Sequence, residues 1–131
     1  MLLLAVGAAS AVGLWRRRTD GRLRTPAGTA VLDAAALRAP LGSRATLVQF
    51  STDFCQPCRA ARQVLADAAA APGVEHVEVD AADRDDLVRR FAVRRTPTLL
   101  VLDAGGRVVR RASGVPAPAE VRTALAAAGV R

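Results

Sequence analysis

The stretch FSTDFCQPCR, residues 50–59, contains both cysteines of this 131-residue chain. An apolar run over residues 45–51 leads into it and suits a buried strand. Alanine-rich residues 57–70 follow, with Val64 and Leu65 on one face, and they predict a helix that ends at Pro72 and Gly73. Cys55 and Cys58 are therefore expected where a buried strand turns into a long helix.

Outward from this junction, the chain alternates between predicted helices and strands. Helices are expected near residues 31–38, over 83–91 and over 118–128, and strands over 74–80, 98–102 and 107–112. Residues 103–106 include two glycines, a composition typical of a hairpin turn. This order predicts one α/β domain over residues 25–131, with a central mixed β-sheet flanked by helices.

Charge is distributed unevenly along the chain. All nineteen basic residues are arginine, and together with twelve acidic residues they give a net charge of +7. Residues 1–24 hold five arginines and one acid, so most of the excess lies outside the predicted domain. The remaining +3 charge and the 3% aromatic content argue against a nucleic-acid-binding domain.

The first fifteen residues carry no charged side chain and precede Arg16, Arg17 and Arg18. We expect residues 1–24 to form a hydrophobic helix that anchors the protein in a membrane through residues 1–18, followed by a basic linker. The arginines favour a domain on the cytoplasmic side. The alternatives are an exported protein with an extracytoplasmic domain, or no membrane role, since as a helix fifteen residues extend only about 22 Å.

The two cysteines have the spacing and the location of a redox pair. Cysteines at i and i+3 at a helix start lie on one side, where unpaired backbone N–H groups favour a thiolate. Cys55 is the expected exposed nucleophile, Cys58 the buried resolving thiol, and Pro57 suits the first helical turn. A zinc site usually needs four ligands. The chain offers only these two thiols and His76, so we expect no metal, and a purely structural pair is the other alternative.

Residues 50–59 resemble the active-site stretch of the thioredoxin family. Thr96-Pro97-Thr98 is similar to that family's cis-proline loop, and Gly105-Gly106 and Gly114 match two further family glycines. The resemblance covers residues 28–129 and implies a thioredoxin-like fold and a thiol–disulfide oxidoreductase. It also implies a cis Pro97 facing the dithiol, a Thr96 backbone that pairs with an extended substrate, and Phe54 and Pro57 at the contact surface.

Gln49 stands where thioredoxins bury an aspartate that assists proton removal from the second cysteine. His76 matches a neighbouring lysine on the adjacent strand. We expect His76, through water near Gln49, to accept the proton of Cys58, because an imidazole titrates in the required range. A solvent-exposed histidine at a strand edge is the alternative interpretation.

The leading expectation is reduction of protein disulfides without a bound cofactor, using a redox-active Cys55–Cys58 disulfide. The motif lacks the histidine of oxidising relatives, which favours a reducing potential. By resemblance, electrons would come from a thioredoxin reductase, or from a membrane dithiol donor if the domain lies outside. An exported oxidase or isomerase and a non-catalytic docking module remain open. Arg94 and Arg95 read as a solvated surface or as a feature that favours acidic partners.

Overall fold

The computed structural model describes residues 1–131, with five helices and four strands. The helices are α1 Leu2–Thr19, α2 Ala34–Leu37, α3 Gln56–Ala68, α4 Asp85–Arg90 and α5 Pro118–Ala127, and the strands are β1 Ala45–Ser51, β2 Val74–Asp80, β3 Thr98–Asp103 and β4 Val108–Ser113.

The strands form one mixed sheet in the order β2-β1-β3-β4. β1 runs parallel to β2 and antiparallel to β3, and β3 is antiparallel to β4. β1 is buried along its whole length because it is paired on both edges and covered on both faces. The expected α/β fold with a central mixed sheet flanked by helices is confirmed.

Two apolar clusters cover the two faces of the sheet. On one face, Ala45 and Leu47 of β1 belong to a cluster that includes residues of α3 and α5, among them Leu65 and Val121. On the other face, Phe50 belongs to a cluster with Leu87, Phe91 and Leu37. Each fully buried side chain of this size contributes about 1.5–3 kcal/mol to folding. The first cluster holds α3 against β1, and so fixes the junction that contains the cysteines.

Two of the predicted helices, α2 and α4, are markedly shorter than expected. α2 has four residues, because Asp33 caps its start by accepting the Ala36 N–H and Arg38 ends it in a left-handed conformation. α4 begins two residues later than expected. Arg84, just before it, has non-helical backbone angles, and its guanidinium turns inward to the carbonyl oxygens of Ala36 and Leu37.

α1 has no buried residue, and its apolar side chains are exposed. Its uncharged part ends at Trp15, because three arginines occupy its last turn. None of the five helices combines the length and the apolar character needed to cross a membrane. The predicted membrane anchor in residues 1–18 is therefore not supported, nor is the cytoplasmic placement that depended on it.

The segment after α1 is attached to the domain by hydrogen bonds. The Gly21 N–H donates to the Ser113 carbonyl, and the Leu23 N–H donates to a carboxylate oxygen of Glu120 at 3.1 Å. Arg24 forms an antiparallel bridge with Arg111 on β4. Residues 20–24 thus lie along the edge of the sheet that ends near the Pro97 loop.

Candidate active site

Cys55 and Cys58 form a disulfide at the amino end of α3, with their Cα atoms 5.2 Å apart. Cys55 is the N-cap residue, and its Sγ accepts the Cys58 backbone N–H at 3.2 Å. Cys58 is only 1% exposed, whereas Cys55 is partly exposed. In the reduced state, a thiolate at Cys55 would be favoured by the same N–H group and by the positive end of the helix dipole.

The Pro97 loop lies against this pair. The Thr96–Pro97 peptide bond is cis, as the resemblance implied. The Thr96 hydroxyl donates to Cys55 Sγ at 3.7 Å and lies 3.3 Å from the Thr52 hydroxyl. The Pro97 carbonyl accepts the Gly114 N–H at 2.8 Å. The structure therefore brings the 96–97 peptide unit next to the sulfur of the more exposed cysteine.

An apolar surface flanks Cys55. The Phe54 side chain is fully exposed, and Pro57 is exposed in the first turn of α3. Phe54 also has a φ of 60°, a left-handed conformation that is rare for a bulky residue. Backbone of this kind is found preferentially at functional sites.

Gln49 is completely buried beneath the pair, on the face of β1 that packs on α3. Its amide donates to the Cys58 carbonyl at 2.8 Å and to the Ser51 hydroxyl at 2.9 Å. Its Oε1 lies 3.1 Å from Nε2 of His76, so the imidazole must carry its proton on Nε2 to donate to it. The Gln49 amide thus connects His76 with the backbone of Cys58, and no direct contact joins the imidazole to the thiol.

His76 is half-buried, and burial is the main cause that lowers its pKa. Glu78 raises that pKa and Arg62 lowers it, and these two side chains form a two-bond ion pair at 2.6 and 2.7 Å beside it. The neutral imidazole is therefore the dominant form at pH 7.

Sequence reasoning missed two hydroxyl groups at this site, those of Ser51 and Thr52. Ser51 could have been found, because side chains two apart on a strand share a face and Ser51 follows Gln49 by two. Nothing in the sequence pointed to Thr52, since its partner Thr96 is forty-four residues away.

The fold and the cysteine pair define a class: an α/β protein with a redox disulfide at a strand–helix junction, facing a cis-proline. No cluster of three or more His, Cys, Asp and Glu side chains suited to a metal ion occurs in the structure. Residues 30–127 match the family described as Thioredoxin, and the chain belongs to that family. The thioredoxin family is one of thiol–disulfide oxidoreductases.

Similar proteins agree with this assignment. Thioredoxin-2 of Pyricularia oryzae is 35% identical over 63 residues, which make up 47% of this chain and 37% of that protein. The chain thus spans little more than a third of this curated relative. A thioredoxin mutant from Halobacterium salinarum has a TM-score of 0.57 at 22% identity, covering 63% of this chain and 73% of its own. Oxidized mitochondrial Thioredoxin 3 of Saccharomyces cerevisiae has a TM-score of 0.55 at 20% identity, covering 64% and 78%. These structural neighbours establish the fold.

Proposed function

We propose that this protein reduces disulfides in protein partners through Cys55 and Cys58. The observation that carries the proposal is the unequal exposure of the pair. Cys55 is partly exposed and accepts a helix N–H group, whereas Cys58 is 1% exposed. Cys55 Sγ is therefore accessible to the disulfide of a protein substrate, whereas the buried Cys58 Sγ can react only with Cys55 Sγ.

The exchange starts from the reduced protein. The Cys55 thiolate attacks one sulfur of the substrate disulfide, the substrate S–S bond breaks, and the first substrate thiolate leaves. Cys58 then loses its proton and attacks Cys55 Sγ, which breaks the mixed disulfide and releases the second substrate thiolate. The substrate gains two electrons and the protein is left as the Cys55–Cys58 disulfide. A dithiol donor, by resemblance a thioredoxin reductase or a membrane dithiol carrier, reverses the change.

Four residues around the pair would bind the substrate. The exposed side chains of Phe54 and Pro57 supply apolar contact area beside Cys55. By resemblance to the family, the backbone of Thr96, next to Pro97, would pair with an extended substrate segment. Because the Thr96 hydroxyl also reaches Cys55 Sγ, the bound segment would lie across the attacking sulfur.

His76 and Gln49 would assist deprotonation of Cys58. The His76 Nε2 proton is engaged by Gln49, which leaves Nδ1 with a free lone pair and no partner among the protein groups. A proton from Cys58 would reach Nδ1 through water, and the lowered pKa keeps that nitrogen unprotonated at neutral pH. His76→Ala should slow release of the second product near pH 7, and an unchanged rate would remove this role.

Reduction of insulin disulfides by the full chain, with dithiothreitol as electron donor, tests the main proposal. Wild type should reduce insulin, and neither Cys55→Ser nor Cys58→Ser should turn over. When each variant is reduced, freed of dithiothreitol and then mixed with insulin, Cys58→Ser should accumulate a mixed disulfide detected by mass spectrometry, whereas Cys55→Ser should not, because its remaining sulfur is buried. Equal trapping by both variants would contradict the assigned roles. Absence of reduction by wild type would favour the docking module.

A further inference from the structure

An arginine-lined cleft lies beside the Pro97 loop. It consists of two adjoining hollows of about 320 and 420 Å³, which share Thr19, Arg95 and Ser113. No aspartate or glutamate lines either hollow, and together they include six arginines: Arg16, Arg22, Arg24, Arg94, Arg95 and Arg111. The end of α1, the segment after it and the edge of the sheet build this cleft together.

Most of these guanidinium groups have no partner. Arg111 donates to the carbonyl oxygens of Phe91 and Ala92, and Arg95 pairs with the carboxylate of Asp20. The other four arginines form no side-chain hydrogen bond or ion pair. The cleft is therefore strongly positive, and the one acid that reaches an arginine there shows that a carboxylate fits.

The cleft adjoins the surface where a substrate would bind. Arg94 and Arg95 directly precede Thr96, whose hydroxyl lies 3.7 Å from Cys55 Sγ. Because consecutive Cα atoms are about 3.8 Å apart, the Arg94 Cα lies within about 7.6 Å of the Thr96 Cα. An extended peptide advances about 3.3 Å per residue. Acidic side chains a few residues from a substrate cysteine could therefore reach the cleft.

We propose that this cleft binds acidic side chains that flank the disulfide of a protein substrate. The inference rests on the proposed reduction of protein disulfides and names the substrate class it favours. Unpaired arginines attract carboxylates over several ångströms and hold them through two-bond contacts. In the free protein the Asp20 carboxylate forms an ion pair with the Arg95 guanidinium, and an acidic side chain of the substrate competes with Asp20 for that guanidinium.

Peptide binding to the full chain tests the proposal independently of redox chemistry. The probe is a fluorescein-labelled peptide with two aspartates on each side of a central serine, and its control has asparagines instead. Fluorescence anisotropy should give about ten-fold tighter binding for the aspartate peptide, and 0.5 M salt should remove most of the difference. Equal affinities would overturn the proposal.

Matched variants locate the binding. Arg94→Gln should weaken aspartate-peptide binding about two- to five-fold, whereas Arg122→Gln, exposed on α5, should leave it unchanged. Asp20→Asn should tighten binding because it releases Arg95, and exposed Asp83→Asn should not. Equal effects within either pair would mean that net charge alone acts, which overturns the proposal.

Vesicle binding and insulin reduction distinguish a lipid site from a peptide site and separate this proposal from the proposed function. If vesicles containing phosphatidylserine bind in an Arg94-dependent way and the aspartate peptide does not, the cleft is a lipid site and the proposal is wrong. Because the peptide has no disulfide, its failure to bind would leave insulin reduction intact. Loss of insulin reduction would likewise leave peptide binding measurable.

Discussion

Replacement of Gln49 by leucine tests whether the buried amide holds the floor of the site together. Leucine has a similar volume, so the change removes hydrogen bonds without opening a large cavity. Three partners lose their contact with the amide: the Ser51 hydroxyl, the Cys58 carbonyl and Nε2 of His76. A buried polar group left unpaired costs about 1–3 kcal/mol, and His76 is only half-buried. We expect Gln49→Leu to lower the free energy of unfolding by about 2–4 kcal/mol.

Urea unfolding of the oxidised full chain measures this loss. With a slope of about 1.5 kcal/mol/M, a loss of this size should lower the midpoint by roughly 1.3–2.7 M. The matched control is Gln63→Leu on α3, whose exposed amide bonds only to Asp67 and whose loss should cost less than about 0.5 kcal/mol. A Gln49→Leu midpoint as close to wild type as that of Gln63→Leu would refute the argument.

Three further outcomes are expected. Burial holds the pKa of folded His76 below its unfolded value of about 6.5, so its contribution to stability is complete above that pH and is lost as the pH falls toward the folded pKa. Urea midpoints between pH 5 and 8 should fall less steeply on acidification in His76→Asn than in wild type, and parallel curves would contradict this. Arg84→Ala should lower the free energy of unfolding by about 2–3 kcal/mol in the same assay, because the Arg84 side chain links the start of α4 to two carbonyl oxygens of α2. The control, exposed Arg89→Ala, should lower it by less than about 0.5 kcal/mol. Equal losses in the two variants would contradict a stabilising role for this link. Phe54→Ser should lower kcat/KM for insulin several-fold without changing stability, since its ring is fully exposed, and an unchanged kcat/KM would remove it from the binding surface.

Strands β1 and β2 were predictable because each leaves a pattern of apolar side chains in the sequence, a continuous run in β1 and an interrupted one in the edge strand β2. The apolar run of β1 and the predicted span of β2 agree with the structure residue by residue, and the spacing of Cys55 and Cys58 located the junction between β1 and α3. The predicted start of α4 was wrong because the Arg84 side chain donates hydrogen bonds to the carbonyl oxygens of Ala36 and Leu37. Local sequence does not encode this tertiary contact.

The cleft at the end of α1 could not be predicted from the sequence either, because it is also formed by contacts between residues far apart in the chain. Sequence reasoning treated residues 20–24 as a linker, because they are polar and contain a glycine. Their attachment arises from pairings with Arg95, Ser113 and Glu120, which lie more than seventy residues away. Gln49 and His76 were expected to lie close together with water between them, and in the structure they are in direct hydrogen-bond contact.

The reduction potential of the Cys55–Cys58 couple tests the central claim most directly. The full chain would be equilibrated with dithiothreitol and glutathione redox buffers, and the fraction of disulfide read by mass after thiol alkylation. A two-electron midpoint near about −270 mV is predicted for a reductase. A midpoint above roughly −200 mV, or no two-electron couple at all, would contradict it.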